Sequence, residues 1–151
     1  MLTKEKEDRA IRKAMLILEK RVRDTAFTIA DPDTVRKYVC TMLGCARDRE
    51  EFWCIYLDSQ HKVLTSERTS VGTIDAASVY PREVLKSVLN HQASAVVFVH
   101  NRPSGVPDPS AADRALTDRL RQSLALIDVR VLDHIVVGHN VTTSFAQSGW
   151  I

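Results

Sequence analysis

The sequence predicts an α/β fold, in which a mixed, largely antiparallel sheet is flanked by helices and preceded by a short helical extension. Apolar residues recur at helical spacing from Lys4 to about Asp24, which indicates an amphipathic helix. The short, wholly apolar run at residues 95–99 is typical of a buried central strand. Strand and helix candidates alternate in the second part of the chain. We therefore expect a helical extension over residues 1–46 and one α/β domain over residues 47–151.

Local patterns predict each element in turn. Asp31-Pro32-Asp33 supplies an N-cap and an N1 proline for a second helix, which ends near Gly44. We expect this helix and the first one to cover one face of the sheet, as most amphipathic helices do, and a helical lid or a partner-binding surface is the alternative. Pro81 begins a further helix, and Ser110 is the N-cap of another. The expected strands lie at residues 52–57, 62–65, 95–99, 131–137 and 141–145, with a turn at 58–61 joining the first two as a hairpin.

Composition narrows the classes of function. The 151 residues suit one domain, and the net charge of +2 is too small to favour strong attraction to nucleic-acid phosphates. No apolar run approaches the ~20 residues that span a bilayer, and the first residues are too charged for a signal peptide. Cys40, Cys45 and Cys54 have the spacing neither of a zinc ribbon nor of a disulfide framework. We therefore expect a cytoplasmic protein with reduced thiols.

The most informative stretch runs from His100 to Asp113 and is one residue short of a metal-binding pattern. His100 ends the expected central strand, whereas Ser110 and Asp113 lie in the first turn of the next helix and face the same way. Taken alone, Ser110 is a helix cap and Asp113 is an N3 carboxylate that suits the helix dipole. Their joint spacing with His100 indicates a site, and a rigid loop with three prolines supports it. Arg102 occupies the position where the pattern needs a second imidazole.

This stretch resembles the motif of the JAMM (MPN-plus) metallopeptidases, in which His-x-His is followed after seven residues by Ser-x-x-Asp. Further segments, in order along the chain, resemble the JAB-type domain of the RadC family. They are Gly72-Thr73-Ile74-Asp75, Pro81-Arg82-Glu83-Val84, Asn101-x-Pro103-Ser104-Gly105, residues 128–138 and Ser144-Phe145-Ala146. The resemblance covers about residues 48–151 and is closest to short, stand-alone RadC-like proteins of mobile-element type that lack the helix-hairpin-helix region. It implies a JAB/MPN-like (cytidine deaminase-like) fold.

The resemblance also implies a zinc site that hydrolyses a peptide or isopeptide bond in a peptide or protein substrate. In JAMM proteins two histidines and the aspartate bind zinc and a water, an upstream glutamate is the general base, and the serine helps to hold the oxyanion. Carried onto this sequence, the metal ligands are His100 and Asp113, and the catalytic residues are Glu50 and Ser110. Glu51 is the alternative general base. Because side chains alternate along a strand, only one of the two glutamates can point towards a given face.

Arg102 is the point at which this chain departs from the family that it resembles. A guanidinium stays protonated and offers donors but no lone pair, so it cannot be a metal ligand. A catalytic zinc usually takes three protein ligands, and two would remain here. We therefore expect weak zinc binding and impaired hydrolysis. The alternative function is a metal-free module that binds a peptide or a partner protein in the old cleft, and the family resemblance implies a link to DNA repair or mobile elements.

Three interpretations of Arg102 stay open at this point. Its guanidinium can pair with Asp113 or Glu50 and replace the metal electrostatically. It can instead point into solvent while another imidazole completes the site. The third interpretation is an isolated sequence change in an otherwise active family member. The available imidazoles are His61, His134 and His139, of which His134 taken alone is better interpreted as a hydrogen-bonded structural residue.

Overall fold

The computed structural model describes residues 3–24, 35–36, 38–40, 48–72, 78–139 and 141–151. Helix α1 spans Lys4–Asp24, and residues 35–36 and 38–40 are also helical. Four predicted features lie outside the described residues: the N-cap at residues 31–33, the helix end at residues 43–44, the family segment at residues 73–75 and Cys45. The remaining elements are β1 Glu51–Leu57, β2 Val63–Val71, α2 Pro81–Asn90, β3 Ala95–Asn101, α3 Ala111–Ala125, β4 Arg130–Val137 and β5 Thr142–Ser144.

A five-stranded sheet with the strand order β2-β1-β3-β4-β5 lies at the centre of the fold. Strand β1 pairs antiparallel with both β2 and β3, and β4 pairs antiparallel with β5. The β3–β4 pair is parallel, and α3 connects its two strands because a parallel pair needs a crossover connection. The predicted α/β class with a mixed, largely antiparallel sheet is confirmed. The boundary between an extension at residues 1–46 and a domain at residues 47–151 stays a prediction.

Two strands extend further than the local sequence patterns indicate. Strand β2 continues past the expected end at Thr65 to Val71, because its backbone pairs with β1 along that whole length. It is an edge strand whose side chains are half-buried or exposed, so its polar sequence shows no apolar alternation. Strand β3 continues through His100 to Asn101. In contrast, β5 is shorter than expected, because Phe145 begins a turn.

Apolar side chains pack on both faces of the sheet. Met15 and Leu18 of α1 pack against the first face. Helix α1 thus covers part of this face, as its amphipathic pattern predicts. The second face carries Phe52 and Phe98, and helices α2 and α3 pack against it. Core residues on this second side include Val84, Val88, Leu120 and Leu124. Within the described ranges, no helix is long and apolar enough to cross a membrane.

Candidate metal centre

Three elements bring Glu50, His100 and Asp113 together at one end of the sheet. Glu50 immediately precedes β1, His100 is the next-to-last residue of β3, and Asp113 lies in the first turn of α3. Phe52 pairs with His100 in the β1–β3 ladder, so residues two apart along β1 share the face of His100. One ligand atom from each of the three residues lies within 4.8 Å of the others.

The ring nitrogen Nε2 of His100 lies at the centre of this group. It is 3.6 Å from Oε1 of Glu50 and 3.6 Å from Oδ2 of Asp113. The residue is 2% exposed, and Nε2 has no hydrogen-bond partner in the part of the chain that the structure describes. Imidazole nitrogen and carboxylate oxygen are ligands that zinc takes in proteins. The donor types of these three residues therefore fit a divalent metal ion.

The two adjacent glutamates are held in different surroundings. Glu50 faces His100, whereas Oε1 of Glu51 accepts a hydrogen bond of 3.0 Å from the guanidinium of Arg68. The side chain of Asn101 fixes the backbone on both sides of Glu50. It accepts from the Glu51 N–H at 2.7 Å and donates to the backbone oxygen of Arg49 at 3.0 Å. Alternation along the strand thus brings Glu50 rather than Glu51 to the candidate site. The role of Glu50 as a general base stays a prediction.

Asp113 is held by the helix start that the sequence predicts. Ser110 Oγ accepts from the Asp113 N–H at 3.1 Å, and Asp113 Oδ2 accepts from the Ser110 N–H at 2.7 Å, which is a reciprocal capping box. Burial raises the pKa of Asp113, but His100 when its ring is protonated, the Ser110 N–H and the charge of Arg102 outweigh it and hold the pKa well below its usual range. The carboxylate is therefore anionic at neutral pH.

The guanidinium of Arg102 lies inside this group of residues. One of its nitrogens donates to Oδ2 of Asp113, and the other is 3.6 Å from Oε1 of Glu50. The side chain is 18% exposed, so most of it is shielded from water. The structure thus places Arg102 with the two carboxylates and not in solvent. A cation at this point does not fit a bound dication, although the other three residues do.

The other three candidate imidazoles do not supply a further ligand at this point. His134 lies behind His100, with its Nε2 2.6 Å from His100 Nδ1. His139 packs its ring against Gly105, where φ is +88° and an added Cβ would collide with the imidazole. His61 lies in the turn between β1 and β2 with φ of 61°. None of the three belongs to the group of ligand atoms around His100 Nε2 among the described residues.

Comparison with known proteins identifies the family. The model of the RadC-like JAB domain matches residues 29–150 of this chain. This chain belongs to the RadC-like JAB domain family. The family resemblance that the sequence predicts is therefore confirmed, and the site described above lies within the matched range.

Relatives of this RadC-like chain carry the name UPF0758 protein. One from Vibrio cholerae serotype O1 is 52% identical over 123 residues, which are 82% of this chain and 54% of that relative. One from Nitrosococcus oceani is 52% identical over 121 residues, with 80% and 54% covered. The chain therefore spans about half the length of these two relatives. A further Vibrio cholerae relative is 47% identical over 146 residues, which are 96% of this chain and 90% of the relative.

Thr117 is a site-associated residue of this RadC-like domain that the sequence analysis missed. Its hydroxyl lies 2.6 Å from Nδ1 of His134 and 2.8 Å from the backbone oxygen of Asp113. The only available signal was its position four residues after Asp113, on the same face of the helix. That signal is weak, because a threonine in an amphipathic helix is ordinary. His134 itself is fully buried, and burial holds its pKa well below the usual value.

We expect a Ser110→Ala variant to lower the free energy of unfolding by about 1 kcal/mol, since it removes the side-chain cap of α3. The capping box loses the acceptor for the Asp113 N–H, whereas the Asp113 carboxylate keeps the Ser110 backbone N–H. Urea denaturation followed by circular dichroism measures the change. Ser110→Thr is the matched control, because it keeps a hydroxyl cap and should stay within a few tenths of a kcal/mol of wild type. Equal losses in both variants would contradict the capping role.

We expect the protein to lose stability as the pH falls below about 6.5, the usual pKa of histidine. Burial lowers the pKa of His134 in the folded chain, so below pH ~6.5 the unfolded chain takes up a proton that the folded chain refuses. One such group makes the free energy of unfolding fall by up to about 1.4 kcal/mol per pH unit, until the folded pKa is reached. Denaturant titrations between pH 8 and 5 measure this slope. His134→Gln should reduce it, and an unchanged slope would contradict the assignment.

Proposed function

We propose that this chain is a homologue of the JAMM zinc metallopeptidases in which Arg102 impairs the ancestral reaction, the hydrolysis of a peptide or isopeptide bond by metal-activated water. The observation that carries the proposal is the contact of the Arg102 guanidinium with Asp113, close to Glu50. The residues that would hold and use the metal are in place around His100, but a fixed cation shares their position.

The chain keeps most of the chemistry that this reaction needs. A zinc ion held here would supply a water whose pKa is lowered from about 15.7 towards 7. His100 and Asp113 are the residues that would hold the ion, and Glu50 is the carboxylate nearest to them for taking a proton. Ser110 Oγ accepts from the Asp113 N–H, which leaves the hydroxyl hydrogen able to donate to an oxyanion.

Arg102 replaces the metal electrostatically in this proposal. Two carboxylates held close together and shielded from water destabilise each other unless a cation lies between them. The guanidinium supplies one positive charge at that point, and it stays protonated at any physiological pH. Zinc would have to displace it, and with Glu50 kept as the general base only His100 and Asp113 would remain of the usual three protein ligands. Weak metal binding and impaired hydrolysis follow.

The same contact supports a second candidate function, a metal-free module that binds a peptide or a partner protein in the old cleft. Because Arg102 offsets the charge of Asp113, this carboxylate does not need a metal ion to balance it. The net charge of +2 does not favour nucleic acid as the partner. A link to DNA repair or mobile elements rests on the family resemblance alone. A cytoplasmic location is part of this proposal, and a reduced thiol such as Cys54, whose sulfur accepts a hydrogen bond from Thr69, supports it.

Metal content and peptide hydrolysis, measured together on protein purified without chelator, test the proposal. We expect substoichiometric zinc and no detectable hydrolysis of a peptide library by the wild-type chain, with zinc gained in Arg102→His. One zinc per wild-type chain together with peptide cleavage would show that the impairment is wrong. Low zinc in both forms would favour the metal-free module, because the site would then be altered beyond Arg102.

A further inference from the structure

A chain of hydrogen bonds joins α3 to His100 through two residues that the proposed function does not use. Thr117 Oγ1 lies 2.8 Å from the backbone oxygen of Asp113 and 2.6 Å from Nδ1 of His134. On the far side of the ring, Nε2 of His134 lies 2.6 Å from Nδ1 of His100. Thr117, His134 and His100 are all at most 2% exposed, so water does not interrupt the chain. Each proton in it can be donated only once, which makes the chain directional.

The direction in which the protons are donated follows first from the contacts of Thr117 in α3. The backbone oxygen of Asp113 can only accept, so the single hydroxyl proton of Thr117 is donated to it. Thr117 Oγ1 is then left to accept from Nδ1–H of His134. If His134 is neutral, it carries no second proton, and its Nε2 accepts from Nδ1–H of His100.

The surroundings of His134 favour the neutral ring. Its imidazole is fully buried and contacts three phenylalanine rings, with centroid distances of 5.6, 6.1 and 4.5 Å to Phe52, Phe98 and Phe145. An apolar environment of this kind disfavours a charged imidazolium. His134 therefore has one N–H to donate and one lone pair with which to accept.

The surroundings of His100, at the other end of these hydrogen bonds, indicate the same direction. His100 Nε2 is buried and lies 3.6 Å from each of the two carboxylate oxygens, which is beyond hydrogen-bond distance. A proton on Nε2 would thus be a buried donor without an acceptor among the described residues. Orphaned buried donors are rarer in proteins than under-satisfied acceptors. With its proton on Nδ1, His100 donates to His134 and leaves only a lone pair on Nε2, so no buried donor lacks an acceptor.

We propose that Thr117 and His134 are positioning residues that hold His100 in the tautomer with its proton on Nδ1. The Nε2 lone pair then faces the cleft between the two carboxylates. This tautomer is a property of the metal-free protein and does not require zinc to be bound. Its consequence, that His100 presents a ligand atom to a metal ion, rests on the proposed function.

Nuclear magnetic resonance reads the tautomer directly. Two-bond ¹H–¹⁵N correlation spectra of ¹⁵N-labelled protein, in buffer with chelator at mildly alkaline pH, distinguish a protonated ring nitrogen from an unprotonated one. We expect a protonated Nδ1 and an unprotonated Nε2 for His100, whose signals are identified by their loss in His100→Gln. A protonated Nε2 in the wild-type spectrum would overturn the proposal.

Variants at Thr117 test whether this residue sets the direction. In Thr117→Val the N–H of His134 loses its acceptor, so His134 should move its proton to Nε2 and donate to His100. We therefore expect His100 to shift to the Nε2–H tautomer in Thr117→Val and to keep the Nδ1–H tautomer in Thr117→Ser. The same tautomer in both variants would overturn the role of Thr117. If the valine variant does not fold, the wild-type spectrum still decides the direction.

The tautomer of His100 and the zinc content of the protein are measured separately, so either expectation can fail without the other. Zinc bound by the wild-type chain would contradict the impairment but leave the tautomer of the chelator-treated protein as measured. Conversely, an Nε2–H tautomer would overturn the role of Thr117 and His134 without changing the expected metal content.

Discussion

Arg102→His is expected to raise the affinity of the chelator-stripped protein for Zn²⁺ on the order of a thousandfold. Two unit charges 4 Å apart interact by about 4 kcal/mol at an effective dielectric constant near 20, and a dication feels at least that repulsion from the guanidinium. Each tenfold change in affinity corresponds to about 1.4 kcal/mol. The variant also supplies a neutral imidazole as a third ligand beside His100 and Asp113. Titration against a chromophoric zinc chelator measures both affinities.

Arg102→Leu is the matched control for this experiment, because it removes the charge without adding a ligand. We expect its zinc affinity to lie between those of the wild-type chain and Arg102→His. If the leucine variant equals the histidine variant, repulsion alone weakens the site and the third ligand adds nothing. If all three proteins bind zinc equally, the guanidinium does not compete with the metal and the proposed impairment fails.

Without metal, Arg102→Leu is expected to lower the free energy of unfolding by about 3 kcal/mol, the low end of the range for breaking a buried ion pair. The side chains of Arg102 and Asp113 are 18% and 16% exposed, so the remaining carboxylates would stay shielded from water after losing the guanidinium that contacts them. They would then destabilise the fold by repulsion and incomplete solvation, or take up a proton. Guanidinium denaturation at neutral pH with chelator present measures the loss.

Two further variants show whether this loss comes from the carboxylate pair. Arg102→Leu combined with Glu50→Gln should recover part of the stability, because one of the two negative charges is gone. Arg121→Leu removes an arginine that lies 4.0 Å from Asp118 with both side chains largely exposed. We expect that control to cost less than about 1 kcal/mol, as exposed ion pairs do. Equal losses in Arg102→Leu and Arg121→Leu would show that the Arg102 contact contributes little.

Much of the fold could be predicted because local patterns and tertiary packing agree in most elements. The apolar run at residues 95–99 is buried on both sides as the centre of β3, and Ser110 caps α3 as its sequence position indicates. Strand β2 was predicted only in part. As an edge strand, it is held by backbone pairing with β1 and carries polar side chains, so periodicity does not reveal it.

The candidate site was predictable as a set of residues but not as an arrangement. Spacing singled out His100, Ser110 and Asp113, since one strand end and one helix start bring them together. The choice between Glu50 and Glu51 needed the register of β1 against β3, because a shift of one residue exchanges the two faces. Thr117 was missed, since its contact with His134 depends on how α3 packs against β4 and not on local spacing.

The sequence by itself determined the chemistry that is present: one imidazole, two carboxylates and a cation at the position of a second imidazole. Only the tertiary structure decided where that cation lies. Arginine has a long, flexible side chain that can reach either water or a neighbouring carboxylate, and local sequence does not distinguish the two. The packing of β1, β3 and α3 places Glu50 and Asp113 within reach of Arg102, and their negative charge in a shielded cleft makes pairing the stable outcome.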